Sequence, residues 1–271
     1  MEKYSVLMSL YTKEKPEYLK QSIESMINQS VPPDEIVIVK DGLLTNELEV
    51  VLNRYNLDYP DLIKIVVSEK NLGLGLALNL GLRHCKNELV ARMDTDDISL
   101  PDRCEKQLKS FLEDDKLVIV GTIVDEFKHD PTQIISRRIV PLQHKKIYEF
   151  AKRRSPFNHP TVMYKKSKVI DCGGYSNLRR NQDVDLFGRM LFKGYRAINL
   201  NEALLLFRSN DELAKRRRSW TNTKSYILTI YNFWRMGFSG FSDFVCVFIA
   251  QLFMFVSPIS IQNFIYKNFL R

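Results

Sequence analysis

Short apolar, β-branched runs alternate along the first hundred residues with longer segments in which apolar positions recur every third or fourth residue. Tyr4 to Leu10 predicts a first buried strand, followed by a polar turn over 11–15. Pro16 opens a predicted helix whose Leu19, Ile23, Met26 and Ile27 share one face, and Val31-Pro-Pro-Asp34 ends it. Residues 35–39 predict a second strand, which stops at Lys40-Asp41-Gly42, and residues 62–67 a third. The stretch 71–79 follows, its tail helical as far as His84, and a fourth strand covers 89–93. Strands alternating with helices predict an α/β fold with a mostly parallel, doubly wound sheet, in which ligands bind beyond the carboxyl ends of the strands. Three of those ends carry an Asp or a polar turn: 11–15, Asp41, and Asp94 to Asp97. Their coincidence marks a site.

The second half is less regular. Helices are predicted over 102–114 and 183–192, with short strands over 117–120 and 161–164 and an edge or hairpin strand over 133–140. Cys172-Gly-Gly-Tyr175 reads as a turn, and two strands near 195–199 and 203–207 close this part. The one clear boundary lies at the basic run 215–218. Beyond it the chain is aromatic and basic with a single acid, Asp243. The expected organisation is a main domain over 1–218, with halves of about 1–100 and about 101–218, and a helical tail over 219–271. In that tail, 244–256 holds thirteen uncharged residues, short of the ~20 that span a bilayer. Tyr226, Tyr231, Phe233 and Trp234 with Arg235, and Phe264, Ile265 and Phe269 with Lys267 and Arg271, predict amphipathic helices that lie on an anionic membrane surface. The alternative is a packing element or a homodimer contact.

Composition narrows the class. With 45% hydrophobic and 27% charged residues the chain is an ordinary globular one, and its net charge of +8 favours anionic partners. Cys85, Cys104, Cys172 and Cys246 are far apart and form no Cys-x-x-Cys pair. Reduced thiols and a cytoplasmic setting are expected, without a disulfide framework or zinc site. The N-terminal residues carry an early acid and lack an apolar stretch long enough for a signal peptide.

The chemistry concentrates at the fourth strand's end, where Asp94, Asp96 and Asp97 follow Met93 directly and Pro101 and Asp102 open a helix. Crowded carboxylates repel one another unless a positive charge neutralises them. A hard divalent cation with oxygen ligands, Mg²⁺ or Mn²⁺, meets that need and leaves positions for substrate phosphates. An acidic loop that merely caps the next helix is the structural alternative.

These motifs, taken together, resemble a known family. Ser-Val-Leu-Met-Ser-Leu-Tyr11, Lys40-Asp41-Gly42, Asn71-x-Gly73-x-x-x-Ala77-x-Asn79, Arg92-Met-Asp-Thr-Asp-Asp97 and Asn181-Gln-Asp-Val-Asp-Leu-Phe187 follow in the order and spacing of the family 2 nucleotide-sugar glycosyltransferases of GT-A type. The likeness covers roughly the first 220 residues. It is nearest to bacterial enzymes of O-antigen, capsule and exopolysaccharide synthesis, including amylovoran-type transferases. The resemblance implies a GT-A fold and inverting transfer of a hexose, from a donor such as a UDP-hexose, to a polyprenyl-diphosphate-linked saccharide acceptor. It implies that Ser9, Tyr11, Asp41, Asn71 and Gly73 hold the nucleotide, with Asp41 against the base. Asp94 serves the ribose and, with Asp96, the metal, which assists departure of the nucleoside diphosphate. Asp183 becomes the general base that takes the acceptor's proton, with Asp185 as its competitor. Gln182 stands where the family carries Glu. Gln182 and His159 are placed on the acceptor side. Arg216, Arg217 and Arg218 would clamp a diphosphate, or form a solvated basic face. The protein is then expected on the inner face of the cell membrane, without nucleic acid as a partner. Two rival readings are a nucleotidyltransferase acting on a sugar phosphate, which would release pyrophosphate, and a basic nucleic-acid-binding protein, which the clustering of aromatics with apolar residues disfavours.

Overall fold

The computed structural model describes residues 2–209 and 219–258. One sheet organises the chain, in the order β3 (Ile63–Ser68), β2 (Glu35–Asp41), β1 (Tyr4–Leu10), β4 (Leu89–Met93), β8 (Met163–Lys165), β6 (Leu117–Phe127), β9 (Arg196–Arg208) and β5 (Ile98–Ser99), with β7 (Ser136–Arg138) paired to β6. Its first half is parallel. β1, β2, β3 and β4 are connected by α1 (Pro16–Ile27), α2 (Asn46–Asp58) and α3 (Leu74–His84). The inner strands β1, β2 and β4 are buried on both faces, which explains their continuous rather than alternating apolar runs. The chain passes from β1 out to β3 and then returns to the other side of β1 for β4, so the carboxyl ends of β1 and β4 flank a topological switch point.

Beyond β4 the pairing changes. β5, α4 (Arg103–Glu113), β6, β7, α5 (His144–Ala151), β8, α6 (Lys166–Asp171), α7 (Gln182–Phe192) and β9 build the second half. β8 is antiparallel to both β4 and β6, and β9 runs parallel to β6 but antiparallel to β5. The parallel character is thus confined to β1 to β4 and the β6–β9 pair. The two short strands expected near 195–199 and 203–207 are one strand, β9, whose register shifts against β6 absorb the polar Asn199 to Glu202 stretch. The expected edge strand over 133–140 is the three-residue β7, hairpinned onto β6.

Two apolar cores lie on the two faces of the sheet. One joins β1 and β2 to α1, α2 and α4; the other joins β2 and β4 to α3, α5 and α7. The second core also takes in the tail. α8 (Trp220–Arg235) and α9 (Phe241–Val256) form a helical hairpin, and α8 buries Ile230 and Phe233 against α7. Gly188 makes this possible: a Cβ there would lie 2.0 Å from Cζ of Phe233, so the aromatic ring occupies the space that the glycine leaves. α8 is amphipathic as expected, whereas α9 buries only Val247. Phe264, Ile265, Lys267, Phe269 and Arg271, expected on a last amphipathic helix, lie outside the described residues. All four cysteines are free.

Because Phe233 is wholly buried, Phe233→Ala should destabilise the whole chain by about 3–5 kcal/mol, read as a lower urea midpoint for tail and sheet together. An unchanged midpoint would mean that the hairpin is not part of the cooperative unit.

Candidate active site

The strand ends of the parallel half converge on a carboxylate group. Asp94, Asp96 and Asp97 each offer an oxygen, and these atoms lie within 4.8 Å of one another. Asp94 and Asp96 are half-buried and Asp97 is almost wholly buried. The loop that carries them is fixed from below by the polar side of α1. Ser22 Oγ donates to the Asp94 carbonyl at 2.6 Å, Ser25 Oγ accepts from the Ser99 amide at 3.1 Å, and Gln29 Nε2 donates to the Leu100 carbonyl at 2.8 Å. Gln29 Oε1 also accepts the Cys104 amide at 3.1 Å, at the start of α4. Asp102 takes the N-cap position of α4 without a side-chain capping bond, so the Asp loop is held by α1 and not by its own helix.

The electrostatics are those of like charges held together. Burial, then the charges of Asp94 and Glu14, pushes the Asp96 carboxyl up to about 7. Asp97 is raised well above the usual range by burial and then by Asp96 and Asp94. Its Oδ1 accepts the Arg208 amide at 2.8 Å, while its buried Oδ2 has no hydrogen-bond partner among the described residues. Glu14 is raised as well, chiefly by burial, and accepts a hydrogen bond from Thr95 Oγ1 at 2.8 Å. Two arginines offset part of this charge. Arg92, buried in β4, is ion-paired with Asp94. Arg208, at the end of β9, donates from Nε to the Asp96 carbonyl at 2.8 Å and from Nη2 to Gln21 at 2.6 Å, and it stacks 3.8 Å from the Tyr18 ring centre. Three oxygen donors with an orphaned buried oxygen, crowded by mutual repulsion, fit a hard divalent cation.

Asp41, at the end of β2, is buried and spends its carboxylate on the next loop. Oδ1 accepts the Leu72 amide at 2.6 Å, and Oδ2 accepts the Gly73 amide at 3.0 Å and Asn71 Nδ2 at 3.1 Å. Gly42 permits this closeness: at φ 88° it brings the chain to where a Cβ would meet the Asn71 nitrogen at 2.9 Å. Asp41 therefore sets the shape of the Asn71–Gly73 rim, while Asn71 itself is exposed. Ser9 and Tyr11, both half-buried, stand at the end of β1 between Asp41 and the Asp loop.

Asp183 enters from the other half, in the first turn of α7, preceded by Asn181 in the left-handed conformation at φ 59°. Burial raises its carboxyl; the amides of Val184 and Asp183 and the charge of Arg92 pull it down, and Asp94 raises it. Asp183 stands at the start of α7, which Gln182 packs against Gly75 beside the Asn71–Gly73 rim, and the charges of Arg92 and Asp94 both act on it. Asp185, two residues on, is engaged otherwise: it pairs with Arg189 at 2.7 Å, and Arg189 Nη2 holds the Gly174 carbonyl at 2.7 Å. Gln182 is buried against Gly75, where a Cβ would come within 3.2 Å of its Cγ, so it packs the start of α7 onto that of α3. His159 lies in the single 3₁₀ turn His159–Thr161, with Nε2 3.0 Å from the Tyr175 hydroxyl. Its imidazole is held well below its usual range by burial and then by Arg92, which keeps it neutral. Arg216, Arg217 and Arg218 lie outside the described residues. Sequence reasoning gives no role to Glu14, Arg92 or Arg208, although Glu14 lies in the polar turn 11–15 and Arg92 is an arginine inside the buried run Leu-Val-Ala-Arg-Met.

Comparison with known proteins gives the chemistry a context. The family model for glycosyl transferase family 2 matches residues 5–181. An amylovoran biosynthesis glycosyltransferase, AmsE, of Erwinia amylovora is 37% identical over 98% of both chains. A UDP-Gal:alpha-D-GlcNAc-diphosphoundecaprenol beta-1,3-galactosyltransferase of Escherichia coli is 36% identical, covering 99% of this chain and 97% of that one. Among solved structures, a mannosyltransferase of Pyrobaculum calidifontis in complex with GDP-Man and Mn²⁺ superposes with a TM-score of 0.67 at 18% identity, covering 93% of this chain and 69% of that one. The S. aureus TarS 1–349 complex with UDP-GlcNAc gives 0.66 at 18% identity, over 93% and 73%. The last two establish the fold alone.

The carboxylate crowding has a measurable consequence. On unfolding, Asp96 returns to its ordinary value of 3.8, whereas in the folded protein it keeps its proton up to about 7. Folding therefore binds a proton in that window, and this group's contribution to stability is full below pH 3.8 and declines as pH rises toward 7. Glu14 and Asp97 act in the same direction. In chelating buffer, Asp96→Asn should melt above the parent protein at about pH 7 and the gap should narrow as pH falls toward about 4. A gap that does not change with pH would overturn this account of the site.

Proposed function

Since the chain belongs to glycosyl transferase family 2, it is a glycosyltransferase, and we propose that it moves a hexose from a UDP-hexose to a polyprenyl-diphosphate-linked saccharide, with inversion at the anomeric carbon, in the assembly of a bacterial surface polysaccharide. The observation that carries this reading is the meeting of two unlike carboxylate sites. One is a repelling triad at the end of β4; the other is a single half-buried carboxylate at the start of α7 that no side chain engages among the described residues. The donor and acceptor are supported by the E. coli relative, whose name specifies UDP-Gal and a diphosphoundecaprenol-linked sugar. The catalytic part is assigned to 1–218, with the nucleotide on the side of β1 to β4.

Asp94, Asp96 and Asp97 are the residues that would hold a divalent cation, Mn²⁺ or Mg²⁺; when bound, it stabilises the charge on the departing nucleoside diphosphate as a Lewis acid. The other parts are the protein's own. Ser9, Tyr11 and the Asn71–Gly73 rim line the crevice beyond the strand ends, where the nucleotide binds. Asp41 fixes the rim against which the base lies. Asp183 takes the proton of the attacking hydroxyl as that oxygen approaches the anomeric carbon from the face opposite the leaving group. A partly buried carboxylate with a raised pKa is better matched to that task than an exposed one. Arg92 restrains both carboxylate sites, through its ion pair with Asp94 and its field at Asp183. Gln182 and neutral His159 support the acceptor side by packing and through Tyr175. Among the described residues no helix is long and apolar enough to cross a membrane, and a lipid-linked acceptor is reached by peripheral association with the inner face of the cell membrane.

A panel of sugar nucleotides offered with a polyprenyl-diphosphate-linked acceptor, the product read by NMR, tests the substrate assignment; release of pyrophosphate in place of a nucleoside diphosphate would point to nucleotidyl transfer. Asp183→Asn preserves shape but cannot take the proton, so turnover should fall by about 10² or more with donor affinity little changed. Asp185→Asn should instead lower the melting temperature by breaking the Arg189 pair. Near-normal turnover in Asp183→Asn together with a dead but stable Asp185→Asn would reverse the two roles.

Excess chelator should abolish transfer, and added Mn²⁺ or Mg²⁺ should restore it in the parent protein but not in Asp96→Ala. Full turnover in chelator would remove the metal from the reading.

A further inference from the structure

The outer face of the α8–α9 hairpin is built in two stripes that share one chemistry. At about 100° per residue, Trp220, Lys224, Leu228, Tyr231 and Arg235 fall on a single side of α8, and all five are exposed. On α9, Phe241, Phe248, Ile249, Phe253 and Val256 fall within an arc of about 140°, and Val256 is 72% and Ile249 61% exposed. Val247, the one residue that α9 buries, lies on the opposite side. Trp234 against Phe241 and Trp220 against Phe255 lock the two helices side by side, with ring centres 5.3 Å apart in each pair.

We propose that this face docks flat on an anionic lipid bilayer, deepening the peripheral association proposed above and resting on it for the location of the acceptor. Charge selects this occupant. Over residues 219–258 the only acid is Asp243, and it is consumed by Arg153 at 2.5 Å and by the Gly240 amide at 2.9 Å. Neither stripe therefore presents a carboxylate, while Lys224 and Arg235 stand among the aromatics of α8, where headgroup phosphates meet amphipathic side chains. A groove of about 830 Å³ beside the first turn of α9 is lined by Lys145, Lys146, Lys152, Arg153 and Arg154 against two acids, Glu149 paired with Lys152 and Asp243 paired with Arg153, and so adds a net positive field. Sixteen residues of α9 are about 24 Å long, too short to span the ~30 Å of hydrocarbon, so the helix lies in the interface plane. Because α8 is anchored in the core through Phe233, the bilayer would be held at a fixed orientation to α7 and Asp183.

The test uses the full chain and vesicles of phosphatidylcholine, with or without phosphatidylglycerol. Cosedimentation should be strong with phosphatidylglycerol at low salt, should weaken as salt rises, and should be accompanied by a blue shift of tryptophan fluorescence. Ile249→Asp with Phe253→Asp should reduce binding at least tenfold. Lys224→Glu with Arg235→Glu should remove the preference for phosphatidylglycerol without lowering the melting temperature, which guards against misfolding of the first pair. Failure of the parent protein to bind anionic vesicles at low salt overturns the proposal. So does a dimer that dissociates in Ile249→Asp with Phe253→Asp while vesicle binding is absent, which would make a second copy the occupant. Acceptor-independent donor hydrolysis, followed in every variant, should stay at the parent level. Vesicle binding without any donor hydrolysis would retain the docking face and remove the transferase donor, so the two readings fail separately.

Discussion

Three carboxylates gathered at one strand end repel one another, and much of the fold serves to keep them there. Each unneutralised charge in that loop costs free energy that grows with burial, and Asp97 is almost completely buried. The opposing forces come from several directions. α1 and the residue just past its C-cap grip the loop backbone through Ser22, Ser25 and Gln29, while Arg92 and Arg208 bring positive charge from β4 and from the far end of β9. β9 is the last strand of the sheet in chain order, so the carboxylate loop is complete only when both halves have assembled. This dependence ties the parallel half to the second half more firmly than the few pairings at β8 would alone.

The buried arginines show how the halves are coupled. Arg103, at the first turn of α4, sends Nη1 to the Pro160 carbonyl at 2.8 Å, and Gln107, one turn on, gives its amide to the carbonyls of Val120 and Thr161. The 3₁₀ turn with His159 is therefore held by the same helix that follows the Asp loop. These buried donors favour one geometry, because an alternative would leave further groups unpaired beside Arg103 Nε and Gln107 Oε1, which have no hydrogen-bond partner among the described residues. His159 in turn carries that positioning to the Tyr175 hydroxyl, whose ionisation is opposed chiefly by burial and to a lesser degree by Asp183 and Asp94.

The parallel half is legible in the sequence because its physics is local. Buried strands read as β-branched runs, Pro16 marks a helix start, and Asp and Gly recur at the strand ends, where the chain must turn. α2 escapes the same reading, since exposed Val50 and Leu57 blur the stripe of Leu48, Leu52 and Tyr55. The polar grip of α1 is invisible for a different reason: Ser22, Ser25 and Gln29 look like a solvated face until the loop they bind is placed over them. Arg208 likewise reaches its partners across more than a hundred residues, a separation that no local pattern encodes. β9 reads as two strands because its polar centre resembles a turn, whereas register shifts against β6 carry it through. In the tail, composition reveals apolar helices but not that α8 sits in the core, which depends on the gap at Gly188.

The two carboxylates of α7 illustrate what a structure adds to a motif. In sequence, Asp183 and Asp185 are equivalent acids in the first turn of one helix, and either would be stabilised by the positive end of the helix dipole. Their positions two apart send them to different sides. Asp185 turns toward the Cys172–Tyr175 turn, where Arg189 neutralises it and in doing so holds the Gly174 carbonyl. Asp183 lies in the field of Arg92, whose guanidinium is already committed to Asp94 through Nη2 while its Nε and Nη1 have no hydrogen-bond partner among the described residues. The Asp185 oxygen held by Arg189 is occupied, whereas Asp183 has no side-chain partner among the described residues and its carboxyl is raised by burial, which suits the role proposed for it. The roles proposed for the two acids, base for Asp183 and structural for Asp185, thus rest on neighbours from β4, from the Cys172–Tyr175 turn and from the next turn of α7, and not on the motif in which both residues occur.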